Sequence, residues 1–214
     1  MLEYQLLVAN KIFFKRDLKI IINNLSFKVS PGFLFLLKGD NGIGKSTLLK
    51  IISGLLPLHD GNIFFKKFHS DYHKDLYQQN LLYMSDKYSL KKDLSIIENI
   101  NYLILLKGYS IKKNKLKETL EYTNLYKSQH LKVREISKGQ KQRVLLSILI
   151  LMQKKIWLLD EPTANLDIKG KYLFNKILIN HLKKGGSAII SIHDKINYFF
   201  FEYKYKILNL NNQE

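Results

Sequence analysis

Gly39-Asp40-Asn41-Gly42-Ile43-Gly44-Lys45-Ser46-Thr47 fills every fixed position of a G-x-x-x-x-G-K-[ST] phosphate loop. Its glycines let backbone N–H groups curl around phosphate oxygens, and a helix N-terminus adds its positive dipole end. In such a loop Lys45 reaches the β- and γ-phosphates of a nucleotide, and the Ser46 hydroxyl ligates Mg2+. Farther along, Asp160-Glu161 directly follows the apolar run Ile156-Trp157-Leu158-Leu159, and His193 follows Ala188-Ile189-Ile190-Ser191-Ile192. In an open parallel sheet, ligands bind outside the carboxyl ends of the strands. If these strands are neighbours, Lys45, Ser46, Asp160, Glu161 and His193 converge on one nucleotide. Phosphoryl transfer to water needs that inventory. Asp160 would hold Mg2+, Glu161 would act as general base, and His193 would contact the γ-phosphate and sense its loss.

The flanking segments are those that must position these groups. Leu34-Phe35-Leu36-Leu37 reads as a buried strand entering the loop, and residues 47–52 have helical apolar spacing up to Gly54. Upstream, residues 4–14 and 20–29 read as antiparallel strands closed by the Ser30-Pro31-Gly32 turn. Gly61-Asn62-Ile63-Phe64-Phe65 and Asn80-Leu81-Leu82-Tyr83-Met84 read as short strands. The stretch 93–152 changes to helix. Ser95-x-x-Glu98 is a capping box opening a helix through Leu106, residues 112–123 form a second helix, and a buried third begins after Ser137-Lys138-Gly139. A strand at 156–159, a helix at 168–182, a strand at 187–192 and a strand-like aromatic tail from Tyr198 follow. The expected fold class is α/β: a P-loop NTPase core with a mixed sheet and an antiparallel β edge. No internal repeat or low-complexity linker is evident.

Composition bounds the rest. The chain has 214 residues, 46% of them hydrophobic, enough for one α/β domain with a proper core. The longest apolar run, 144–152, falls short of the ~18–20 residues of a membrane span. Met1-Leu2-Glu3-Tyr4 lacks the marks of a signal peptide, so a soluble or peripheral protein is expected. There is no cysteine, which excludes disulfides, thiolate catalysis and cysteine-held zinc. His59, His69, His73, His130 and His181 form no recognisable ligand pair. Net charge is +17, and of the 35 basic residues all but Arg16, Arg134 and Arg143 are Lys, spread along the whole length. That distribution reads as compositional drift on solvated faces. A membrane-surface role ranks second and nucleic acid third.

The segment Ile136-Ser137-Lys138-Gly139-Gln140-Lys141-Gln142-Arg143 resembles the LSxGQ signature of the nucleotide-binding domains of ABC ATPases. Ala164-Asn165-Leu166-Asp167 is similar to that family's D-loop, and His193 to its switch histidine. The motifs stand in the family's order over most of the chain. The resemblance implies a single domain, 1–214, with a helical subdomain at roughly 87–152 that docks onto membrane subunits. It implies a head-to-tail homodimer sandwiching two ATP molecules, with Ser137, Gly139, Gln140 and Asp167 adding to the nucleotide site. Two departures stand out, of which Ile136 for the signature's Leu is conservative. Counting back from Glu98-Asn99, Asp86 occupies the place where the family usually has Gln, with a shorter reach toward Mg2+ or the attacking water. The adenine-stacking aromatic is indistinct. Phe13 and Phe14 lie near its place, and Arg16 is a candidate for it.

Within the family the chain looks most like the CcmA type, the ATPase subunits of haem export in cytochrome c maturation. The carriers are Asn80-Leu81-Leu82-Tyr83-Met84 before Asp86, Trp157-Leu158-Leu159-Asp160-Glu161-Pro162, and Gly185-Gly186-Ser187-Ala188-Ile189-Ile190. That resemblance implies a CcmB-like membrane subunit, CcmC- and CcmD-like proteins nearby, and a peripheral place on an inner membrane, facing bacterial cytoplasm or mitochondrial matrix. The motifs also fit an ATPase subunit of another ABC exporter, for lipid, lipoprotein or drug. A soluble ABC protein acting on ribosomes or nucleic acid is the third reading, and no nucleic-acid partner is expected.

Overall fold

The computed structural model describes residues 5–85, 90–192 and 205–212. They divide into two compact units, one of Met1–Ser85, Lys154–Pro162 and Leu178–Glu214, the other of Asp86–Gln153 and Thr163–Ile177.

The first unit contains two sheets. β1 (Leu7–Arg16), β2 (Lys19–Val29), β4 (Asp60–Phe65) and β5 (Phe68–His69) pair antiparallel in the order β2-β1-β4-β5. β3 (Leu34–Lys38), β6 (Leu81–Ser85), β7 (Ile156–Asp160), β8 (Ser187–Ser191) and β9 (Tyr205–Asn209) form a parallel sheet in the order β6-β7-β8-β3-β9. β7 and β8 are buried at every residue. Strands covered on both faces must be apolar without alternation, which is why these runs read as continuous rather than period-two. Phe35, Leu37, Ile156, Leu158 and Ile189 meet α1 (Lys45–Ile52) and the apolar residues of β1, β2 and β4 in one core. Trp157, on the opposite pleat, stacks on His181 near the C-terminal end of α6 (Ile168–Lys183).

The β1–β2 hairpin differs from the expected closure. It turns at Asp17-Leu18, with Asp17 at φ +53°, while Ser30-Pro31-Gly32 carries the chain from β2 into the other sheet. Asp tolerates the left-handed conformation that such a tight turn requires. A Pro-Gly pair marks a turn but not which strands it joins. Residues 74–80, which carry no clear local helix signal, form α2 (Lys74–Asn80).

The second unit is helical. α3 (Ile96–Leu105) opens on the capping box: Ser95 Oγ accepts from Glu98 N at 3.3 Å, and the Glu98 carboxylate accepts from Ser95 N at 2.7 Å. Fully buried Asn99 donates to the carbonyls of Lys91, Leu94 and Ser95 and accepts from Lys91 N, holding the approach to the helix. α4 (Lys113–Tyr122) and α5 (Lys138–Met152) follow, joined by a buried hydroxyl pair, Thr123 Oγ1 and Ser147 Oγ, at 2.9 Å. Among the described residues no helix is long and apolar enough to cross a membrane.

Candidate functional site

The glycine loop joins β3 to α1, so the strand–loop–helix order is present. Helix α1 begins at Lys45, two residues earlier than its apolar spacing suggested. Gly44 is its N-cap at φ +117°, and a Cβ there would stand 2.8 Å from Ile21 Cγ2 on β2. Only glycine takes that conformation without strain. The first N–H groups of α1 have no intrahelical acceptor, so they remain able to bind an anion. Lys45 is 6% exposed, and its Nζ donates to the carbonyls of Gly39 at 2.5 Å and Asp40 at 3.0 Å. An ammonium has three donors, so one is left beyond these two bonds. Ser46 is exposed at the mouth of the helix. Asp40, Asn41, Gly42, Ile43 and Thr47 complete the loop and the first turn.

Sheet register sets Asp160 in one row with the strand that enters this loop. Asp160 of β7 pairs with Ser191 of β8, which pairs with Leu37 of β3, while Ser85 of β6 pairs with Asp160 from the other side. One row therefore crosses the sheet at the carboxyl ends, and Asp160 lies two strand spacings, about 10 Å, from the end of β3. Asp160 is 8% exposed. Its Oδ1 accepts from Ser191 Oγ at 2.6 Å, and the same hydroxyl accepts from Glu161 N at 2.9 Å. Glu161 stands at φ +52° before Pro162, a left-handed conformation costly for a residue with a Cβ. Asp86 and His193 lie outside the described residues, one beyond Ser85 and two beyond Ser191 in the chain.

Hard cations such as Mg2+ take oxygen ligands, often one or two from protein plus substrate phosphates. The exposed Ser46 hydroxyl and the buried, hydrogen-bonded Asp160 carboxylate supply oxygen donors of that kind, so the residues fit the ion.

The second unit carries the other motif residues. Ser137 is the N-cap of α5: its Oγ accepts from Gln140 N at 3.1 Å, and Gln140 Oε1 accepts from Ser137 N at 2.9 Å. Ser137 and Lys138 are exposed, and a Cβ on Gly139 would come within 3.6 Å of the Asn165 carbonyl. Asp167 Oδ1 accepts from Gly170 N at 2.7 Å and lies 3.5 Å from the Arg143 guanidinium. The D-loop segment and the signature helix are thus tied together. Of the candidates for stacking on adenine, Phe14 is a core residue tilted against His59, Phe13 is half-buried, and Arg16 is exposed.

Nothing in the sequence marks two further residues: Ser191 within its apolar strand, and Asn211, whose Oδ1 accepts from Asp40 N at 3.1 Å.

The family model described as ABC transporter matches residues 22–164. The chain is 38% identical over 186 residues to the cytochrome c biogenesis ATP-binding export protein CcmA of Reclinomonas americana, covering 85% of this chain and 82% of that protein. It is 36% identical to the protein of the same name in Xylella fastidiosa, covering 87% and 82%. A solved structure titled as a putative ABC transporter ATP-binding protein from Pyrococcus furiosus superposes with a TM-score of 0.82 at 24% identity, covering 97% of this chain and 98% of that one. A nucleotide-free ATP-binding cassette from an ABC transporter gives 0.80 at 21%, covering 96% and 88%. These two structures speak to the fold alone. The chain belongs to the ABC transporter family and is one of its ATPase subunits.

Proposed function

We propose that this chain hydrolyses ATP in a membrane complex that exports or releases haem for cytochrome c biogenesis. The observation that carries the ATPase chemistry is the in-register row of Asp160, Ser191 and Leu37 beside the glycine loop. The loop N–H groups and Lys45 bind the β- and γ-phosphates. Ser46 and Asp160 hold Mg2+, with Asp86 as a further candidate oxygen donor. Bound there, the ion neutralises charge on the phosphates. Glu161 takes the proton of the attacking water as its oxygen bonds to the γ-phosphorus and the bond to the β-phosphate oxygen breaks. His193 contacts the γ-phosphate. Ser137, Gly139, Gln140 and Asp167 of a second copy close over the nucleotide, giving a homodimer with two ATP molecules between subunits.

The cytochrome c role rests on relatives named for cytochrome c biogenesis at 38% and 36% identity. It brings with it a CcmB-like membrane subunit, CcmC- and CcmD-like proteins, and a peripheral place on the cytoplasmic or matrix face of an inner membrane. Glu161→Gln, trapped with ATP and Mg2+ and recovered from gently solubilised native membranes, tests this by mass spectrometry of what accompanies it. A CcmB-like membrane protein with haem-handling subunits is expected. A different permease would keep the ATPase and remove haem, and ribosomes or nucleic acid without a membrane protein would remove both.

A further inference from the structure

Ser191 is a polar side chain in the site row that the scheme above does not use. It is 1% exposed at the end of a strand whose preceding residues, Ala188, Ile189 and Ile190, are apolar and fully buried. A buried hydroxyl needs partners, and this one has two: Asp160 Oδ1 at 2.6 Å and Glu161 N at 2.9 Å. A hydroxyl has one proton and two lone pairs, while an ionised carboxylate only accepts and an amide N–H only donates. Both bonds therefore form together with one polarity: Ser191 donates to Asp160 and accepts from Glu161. The first bond fixes the rotation of the Asp160 carboxylate and leaves Oδ2 for other ligands. The second holds the N–H of a residue kept in the left-handed region at φ +52°, the conformation that sets where the Glu161 side chain leaves the backbone.

We propose that Ser191 is a positioning residue for ATP hydrolysis, setting through one hydroxyl both the Asp160 carboxylate that holds Mg2+ and the backbone that aims the general base Glu161. This rests on the assignment of Asp160 and Glu161 given above. A mere staple between β7 and β8 would affect stability without changing how much the metal adds to nucleotide binding.

Wild type, Ser191→Ala and Ser191→Thr are titrated with a non-hydrolysable ATP analogue in EDTA and again in Mg2+, with thermal unfolding recorded for each. Bound Mn2+ is counted by electron paramagnetic resonance. Affinity in EDTA is expected to agree among the three within about twofold. The gain on adding metal should fall about tenfold or more in Ser191→Ala, the usual loss when the partner of a metal ligand is removed. Ser191→Thr should recover it. A folded Ser191→Ala with an undiminished metal gain overturns the proposal, as does failure of Thr to recover it. If the Ala variant does not fold, Ser191→Cys keeps the volume with a weak donor, and the same comparison decides. A wild type that gains nothing from metal would instead overturn the Asp160 assignment itself.

Discussion

Lys45 and His181 show how burial sets a side chain's behaviour. Lys45 is nearly inaccessible, yet its charge is met by two carbonyls of its own loop, so the ammonium is pre-oriented. Lys45→Ala should remove a charge-assisted contact to phosphate of about 1.5–3 kcal/mol and weaken ATP about 10- to 150-fold, read by equilibrium binding. His181 lies flat on Trp157, ring centroids 3.6 Å apart at 5°, with Nε2 3.2 Å from the Ser187 carbonyl. A Cβ at Gly186 would run into its ring, so this seat needs glycine there. Burial pushes its pKa down to about 4. The Ser187 carbonyl opposes that shift and the Lys155 charge adds to it. The unfolded chain, with His near 6.5, takes the proton first as pH falls. Stability from this group is complete above about 6.5 and declines toward pH 4 by at most about 3 kcal/mol. Denaturant unfolding across that window should show the slope, and His181→Phe should remove it while keeping an aromatic on Trp157. Lys45 was legible because its neighbours in sequence are its partners in space. Ser191 and Asn211 were not, because their partners lie 31 and 171 positions away.

At the scale of elements, local chemistry fixed what local chemistry can fix. The Ser95-x-x-Glu98 and Ser137-x-x-Gln140 boxes start α3 and α5 because the bonds they make span only three residues. Ser95→Ala should cost about 1 kcal/mol. Asn99→Ala should cost more, about 3 kcal/mol, since the buried amide's bonds to three carbonyls and to the Lys91 N–H are all lost. Urea denaturation of both variants checks the order. α2 was invisible because nothing local specifies its seven residues. Its Tyr77 hydroxyl bonds the Ile52 carbonyl, and Lys154 donates to the Gln78 and Gln79 carbonyls at its end. The hairpin turn was misplaced for a related reason. Strand pairing is a long-range choice, and Ser30-Pro31-Gly32 marks a change of sheet as readily as a hairpin.

Across the whole molecule, the fold class was readable because three apolar runs ended in polar residues, a pattern that parallel strands with both faces covered impose. The order β7-β8-β3 puts the three runs on neighbouring strands. The charge of +17 reports little about fold. It suits an anionic membrane surface, where each nearby Lys is worth about 1 kcal/mol. The phosphate loop and acidic pair belong to one compact unit and the signature to the other. Glu161→Gln with ATP and Mg2+ should run as a dimer in light scattering, and adding Ser137→Arg should return it to monomer without loss of nucleotide binding.

The most direct measurement is phosphate release from ATP by the complex purified with its membrane partners, comparing wild type with Glu161→Gln. The wild type should hydrolyse ATP in a Mg2+-dependent way, and the variant should bind ATP as tightly while turning over about 10²- to 10⁴-fold more slowly. Equal turnover in the two would contradict the assignment of Glu161 as the base, and a wild-type complex that binds ATP without hydrolysing it would contradict the proposed catalytic scheme.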